Sequence, residues 1–176
     1  AKDDHLLLSA DYSQIEIRVL ASIAKIPLLQ QSLASGLDIH KTTASQIFDL
    51  VIEDINDDLR RRAKEINFGI IYGMTPFGLA KNLSLNLDDA KSYINKYLAT
   101  YPEIQFYMNE TVKFAEKYGY VNTLLGRKCY IKDINSRNHH LKKIAERSAI
   151  NAPIQGSAAD IMRKALSSCK FRPLLL

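Results

Sequence analysis

The sequence predicts an α+β fold that is predominantly helical, and three observations carry that expectation. Apolar residues recur at helical spacing over most of the chain. Gly, Pro, Asp and Asn punctuate those runs at short intervals, so helices should be joined by tight turns. Patterns suited to strands occur only at Leu6 to Ala10 and Gly119 to Ile131. With 176 residues, 47% of them hydrophobic, the chain is long enough to bury a real core.

Leu6 to Ala10 is a short apolar run that reads as a strand. A sharp bend at Asp11-Tyr12-Ser13 then leads into a helix whose apolar positions are Ile15, Val19, Leu20 and Ile23. Asp11 at the end of such a strand serves either as a helix cap, a role Ser13 could also fill, or as a ligand for a hard cation. Gln14, Glu16 and Arg18 add polar groups to an otherwise apolar helix. Gly36 ends one helix and Asp38 caps the next; Thr75-Pro76 opens another after Gly73. Two longer helices follow over Leu87 to Ala99 and Pro102 to Lys117, separated at Tyr101-Pro102. Gly119 to Ile131 alternates well enough for a small hairpin around Gly126, where Arg127 would be a solvated cation. His139 to Ala149 is amphipathic, with Leu141, Ile144, Ala145 and Ser148 on one side and Lys142, Lys143 and Arg147 elsewhere. That basic face either follows a nucleic-acid backbone or faces water. Asn151 and Gln155 flank Pro153 and could cap a helix broken there.

The segment from Arg60 to Gly73, RRRAKEINFGIIYG, holds the most unusual pattern. At roughly 100° per residue Arg60, Lys64, Phe68 and Tyr72 form one slowly turning stripe about 18 Å long. Leu59, Ala63, Ile66 and Ile70 fall opposite, where they would face a core. Gly69 and Gly73 lie between the stripes, where a bulky partner could approach the backbone. Cations followed by aromatic rings match the order of a nucleoside triphosphate, with phosphates at one end and a flat base at the other. A solvated Arg run beside core aromatics is the competing reading. Arg60, Arg61 and Arg62 sit at a helix N-terminus that is already positive, so they call for an anion. Asp57 and Asp58 supply part of it, and a phosphate would supply the rest.

Composition narrows the partner classes. Twenty-four Lys and Arg against nineteen Asp and Glu leave a net charge of +5, with a pI near 9.1, which suits a phosphate-bearing partner. Cys129 and Cys169 are isolated thiols without metal-type spacing, pointing to a reducing cytoplasm. No apolar stretch reaches membrane-spanning length, the N-terminus does not read as a signal peptide, and there is no repeat or low-complexity linker.

Several segments resemble family A DNA polymerases, the bacterial DNA polymerase I type. Asp11-Tyr12-Ser13-Gln14-Ile15-Glu16-Ile17-Arg18 resembles the family's first polymerase motif. Arg60-x3-Lys64-x3-Phe68-Gly69-x2-Tyr72-Gly73 resembles the second, on the fingers helix that closes over the incoming nucleotide. Asp38-Ile39-His40, Thr123-Leu124-Leu125-Gly126-Arg127 and the run from Asn151 to Asp160 continue the likeness, in order, from about Leu6 to about Leu166.

The resemblance implies the fingers and part of the palm of a right-hand polymerase. A palm segment would span 1–24, the fingers 25–132, palm-side helices 133–166 and an aberrant tail 167–176. Asp11 and Lys64 would be catalytic. Asp11, with the Tyr12 carbonyl, would hold Mg²⁺ in a two-metal displacement, the primer 3′-hydroxyl attacking the α-phosphate of a dNTP. Gln14, Glu16, His40, Arg60, Lys64, Phe68 and Tyr72 would line the nucleotide site. Within it Glu16, held by Tyr72, would be a steric gate against the ribose 2′-hydroxyl. Local chemistry alone would make His40 an ordinary first-turn residue. Arg127, Arg147, Asn151 and Gln155, with Gln14, would contact a DNA primer-template, sensing pair geometry through minor-groove acceptors. The implied protein is a monomer without a membrane partner.

One departure is prominent. The family's third motif, a His-Asp-Glu group supplying a second metal-binding aspartate, is not found, and neither Asp nor Glu occurs after Asp160. Asp3, Asp4 and His5 have the wrong order and lie upstream of the first motif. The resemblance further implies that thumb and proofreading or nuclease regions lie outside these 176 residues, and SSCKFRPLLL from Ser167 to Leu176 no longer resembles the family. The expectation is a truncated or frameshifted product that does not extend a primer alone, and a non-catalytic remnant binding nucleotide or DNA is the alternative. A single-subunit RNA polymerase is opposed by Glu16.

Overall fold

The computed structural model describes residues 9–168. Eight helices and one hairpin follow in order: α1 (Ile15–Ile23), α2 (Pro27–Ala34), α3 (Ile39–Phe48), α4 (Asp57–Ile71), α5 (Pro76–Leu83), α6 (Leu87–Thr100), α7 (Pro102–Tyr118), β1 (Tyr120–Asn122), β2 (Lys128–Tyr130) and α8 (His139–Ser168). A single 3-10 turn, Ile52–Asp54, precedes α4. The mainly helical α+β expectation therefore holds.

Local chemistry explains most boundaries. Asp38 caps α3 by accepting from the His40 and Lys41 amides at 3.0 and 3.2 Å, after Gly36 has turned the chain at φ +69°. Asn56 caps α4 through Leu59 N at 2.9 Å, and Thr75, followed by Pro76, caps α5 through Gly78 N at 3.2 Å. The hairpin pairs Tyr120 with Tyr130, Val121 with Cys129 and Asn122 with Lys128, and Gly126 takes φ +84° in its loop.

Most of the core is one cluster. Ile17 and Leu20 of α1, Leu29 of α2, Ile39 and Ile47 of α3, Ile66 and Ile70 of α4, and Tyr97 of α6 meet Ile104 of α7 and Ile154 of α8 within it. A smaller cluster seats the hairpin, with Val121, Ile131 and Ile134 against Ala115, Ala145 and Ala149.

Four local expectations need correction. Of the strand over Leu6 to Ala10, Ser9 and Ala10 are not extended into a sheet, and Leu6 to Leu8 lie outside the described residues. Among the described residues the hairpin is the whole sheet. Ser13 does not cap α1: Gln14 occupies the N-cap at φ 55° without a side-chain cap bond, and the Ser13 carbonyl instead accepts from Arg18 Nε at 3.1 Å. Pro153 does not break α8, which runs on to Ser168, so neither Asn151 nor Gln155 is a cap. In the turn Pro153 perturbs, the Tyr107 hydroxyl donates to the Ile150 carbonyl at 2.8 Å, and this bond ties the helix to α7. Finally, Leu141 and Ile144 are 41% and 47% exposed, because the face of α8 that meets the hairpin is Ala145 and Ala149, four residues apart. Ser167 and Ser168 of the expected tail are helical; Cys169 to Leu176, and Asp3, Asp4 and His5, lie outside the described residues.

Candidate nucleotide site on helix α4

The stripe and its opposite face appear as the periodicity required. Ala63, Ile66 and Ile70 are buried, while Arg60, Lys64, Phe68 and Tyr72 lie on the partly open side. The demand of the Arg run for an anion is met mostly within the protein. Asp58 takes Arg61 at 2.5 Å and Arg62 at 2.8 Å, and Arg60 Nε reaches across to Asp38 of α3 at 2.7 Å. Burial alone would raise the Asp38 carboxyl. The Arg60 hydrogen bond, the Lys41 and His40 amides and the Arg60 charge outweigh it, leaving its pKa below the ordinary value. Lys64 is exposed and makes no ion pair among the described residues.

Three rings climb beside these cations. His40 lies 6.0 Å from Phe68, tilted, and Phe68 lies 6.1 Å from Tyr72, stacked. His40 is only 3% exposed; burial lowers its pKa first, and Arg60 and Lys64 lower it further against the pull of Asp38. Its Nδ1 meets the Asn67 amide at 3.1 Å.

At the far end of the stripe, three helices converge. The Tyr72 hydroxyl donates to Glu16 Oε2 of α1, and the Gln155 side chain of α8 lies beside it. Burial and the neighbouring Glu16 carboxylate push the Tyr72 pKa up to about 12, with Gln155 opposing. The space beside the two glycines is filled from within, which corrects the expectation of a bulky outside partner. A Cβ at Gly69 would lie 3.2 Å from Met74 Sδ, and one at Gly73, whose φ is +67°, 3.2 Å from Arg147 Cγ. Arg147 thus packs its stem against the end of α4.

The remaining candidates are more dispersed. Asp11 and Tyr12 are exposed in the irregular lead-in to α1, with Gln14 at its left-handed N-cap. Among the described residues no three His, Cys, Asp or Glu side chains gather where they could hold a metal. Asp11 and the Tyr12 carbonyl therefore do not by themselves fit a two-metal centre. Arg127 is engaged at the hairpin: Nε donates to Asp160 Oδ1 at 2.8 Å and Nη2 to the Gly156 carbonyl at 3.1 Å. Asn151 Oδ1 and Asp160 Oδ2 are buried without a hydrogen bond, and Gln155 is exposed. Asp38 and Asp160 lie within the motifs quoted above without a site role of their own, and Asn67 is not singled out by them. Asn67 had a signal: it falls on the buried side of α4, four residues after Ala63 and three before Ile70, where a polar side chain needs a partner.

A sequence model of DNA polymerase family A matches residues 1–172. The chain belongs to DNA polymerase family A. Two relatives agree: DNA polymerase I of Pseudomonas aeruginosa is 48% identical over 166 residues, covering 94% of this chain and 18% of that protein. DNA polymerase I of Geobacillus stearothermophilus is 47% identical over 172 residues, covering 98% and 20%. The chain thus spans about a fifth of the length of these family A relatives. Among solved structures, the POL domain of Pol1 from M. smegmatis, in complex with DNA primer-template and dNTP, superposes with a TM-score of 0.83. It is 36% identical and the match covers 92% of this family A chain and 30% of that one. No helix of the described residues is long and apolar enough to cross a membrane.

Proposed function

We propose that this chain is the nucleotide-holding part of a template-directed DNA polymerase, comprising fingers and part of a palm, monomeric and cytoplasmic. The reaction is nucleotidyl transfer: the primer 3′-hydroxyl oxygen bonds to the α-phosphorus of a dNTP, and the bond to the leaving pyrophosphate breaks. The observation that supports this reading is the single face of α4 on which Arg60, Lys64, Phe68 and Tyr72 stand with His40 and Glu16 beside them.

In this reading Arg60 and Lys64 bind the triphosphate, His40 donates to it, and Phe68 lies against the sugar and base. Glu16, fixed by Tyr72, occupies the space a ribose 2′-hydroxyl would need and selects deoxyribonucleotides. Gln14, Arg147, Asn151 and Gln155 meet primer-template, and Arg127, already held by Asp160, joins them through its hairpin. The Mg²⁺ ions implied by the family would supply charge neutralisation at Asp11 and the Tyr12 carbonyl. The donor set on the described residues is incomplete for them, so the role proposed for these residues is holding and selecting the nucleotide.

Discrimination between dATP and ATP tests the gate. Wild type is expected to bind dATP more tightly, and Glu16→Ala to lose the difference; equal affinities in the wild type would remove the selective role. Primer extension tests the second reading, a non-catalytic nucleotide-binding or DNA-binding chain. With one motif aspartate, the 176-residue polypeptide alone is expected to give none, and robust extension abolished by Asp11→Ala would overturn that expectation.

A further inference from the structure

A sealed polar cluster lies between α3 and α4, under the cationic end of the stripe. Asn67 is 1% exposed and Thr43 is fully buried. Asn67 Nδ2 lies 3.1 Å from Thr43 Oγ1 and 3.1 Å from His40 Nδ1, and the Thr43 hydroxyl reaches Asn67 Oδ1 at 3.3 Å. A buried amide in an apolar helix face is costly without partners, and here all of its partners lie on α3.

An amide N–H at Nδ1 makes that ring nitrogen the acceptor, so a neutral imidazole must carry its proton on Nε2. Nε2 makes no hydrogen bond among the described residues. It is also not one of the sealed unpartnered atoms, which are Asn151 Oδ1 and Asp160 Oδ2. The ring therefore has one tethered nitrogen and, among the described residues, one without a hydrogen-bond partner. The charged groups around it are Asp38 on its own helix and Arg60 and Lys64 on α4.

We propose that Asn67 is a positioning residue: its side-chain amide holds His40 as the Nε2–H tautomer, so that the ring offers a neutral donor beside Arg60 and Lys64. The opposite tautomer would turn a lone pair toward any anion there and lose the hydrogen bond. The use of this donor for a phosphate rests on the nucleotide-site reading; the tautomer lock stands without it.

Long-range proton–nitrogen NMR of the ring, in the ¹⁵N-labelled 176-residue chain with His40 assigned by a His40→Gln spectrum, tests the lock directly. The wild-type ring is expected to be neutral with the proton on Nε2. A proton on Nδ1, or a ring averaging both tautomers, would overturn the proposal before any variant is made. In Asn67→Asp the amide donor becomes an acceptor of nearly the same shape, so Nδ1 is expected to gain a proton, whether the ring stays neutral or becomes doubly protonated; a folded variant whose ring is protonated on Nε2 alone would also overturn it. Adding dATP separates the two ideas: a shifted Nε2–H resonance supports both. An unshifted one on a ring that is Nε2-protonated leaves the Asn67 lock standing and counts against the nucleotide site.

Discussion

Replacing Asp38 with Asn isolates an electrostatic competition built into the site. Asn caps a helix about as well as Asp, so the bonds to the His40 and Lys41 amides survive while the charge facing Arg60 is lost. The Arg60 and Asp38 side chains are 36% and 32% exposed, so screening limits the pair to roughly 0.2–1 kcal/mol of stability. For a chain of this size that is a fall in Tm of at most about 4 °C. Binding should move the other way. A phosphate that takes up Arg60 would sit near the Asp38 carboxylate, and two charges about 4 Å apart repel by roughly 1 kcal/mol in water, and more as the effective dielectric falls. Removing one or two kcal/mol of repulsion should tighten dATP binding about 5- to 30-fold. Calorimetric titration with dATP at fixed ionic strength is the assay. Weaker binding by Asp38→Asn would refute the reasoning, because it would mean that the pair orients Arg60 for the nucleotide more than it competes.

Other expectations follow from the same geometry. Burial favours neutral His40 in the fold, so its folded pKa lies below the unfolded value near about 6.5, and in the window between them the unfolded chain binds more protons. Stability should therefore fall as pH drops below about 6.5, and thermal melts of His40→Gln should lose part of that slope; an identical slope would rule out His40 as its source. Gly156→Ala should destabilise, because the new Cβ would lie 2.7 Å from Thr123 Cγ2 on a buried, branched side chain; overpacking of about 1–3 kcal/mol exceeds the roughly 1 kcal/mol gained in helix propensity. Gly78→Ala meets Met74 Cγ at 2.9 Å on an unbranched side chain, with Thr75 Oγ1 at an ordinary 3.6 Å, and should cost less than Gly156→Ala; equal effects on Tm at the two glycines would contradict the packing described. Tyr107→Phe should cost about 1 kcal/mol by leaving the Ile150 carbonyl without its hydroxyl donor, and an unchanged urea midpoint would count against that bond.

The helices were legible because their caps are local. Asp38 and Thr75-Pro76 act within a few residues of themselves, and each stands at the boundary it marks. The stripe on α4 was legible for the same reason, since periodicity fixes which side chains share a face. What closes the site was not, because it comes from elsewhere in the chain. Arg60 finds its anion 22 residues back on α3, Asn67 finds its partners on the same helix, and Met74 and Arg147 fill the gaps beside Gly69 and Gly73. The face of α8 was misjudged at Leu141 and Ile144, since spacing marks an apolar side but cannot tell that the hairpin accepts alanines there. Pro153 in turn reads as a break in the local sequence, whereas α8 runs through it to Ser168.

The central claim is that one face of α4 holds a nucleoside triphosphate, and titration of the 176-residue chain with dATP tests it most directly. Wild type should bind saturably, Lys64→Ala should weaken binding at least tenfold, about 1.4 kcal/mol, and Arg61→Ala, whose charge is already turned to Asp58, should change it little. Absence of saturable binding, or an affinity unchanged by Lys64→Ala, would contradict the claim.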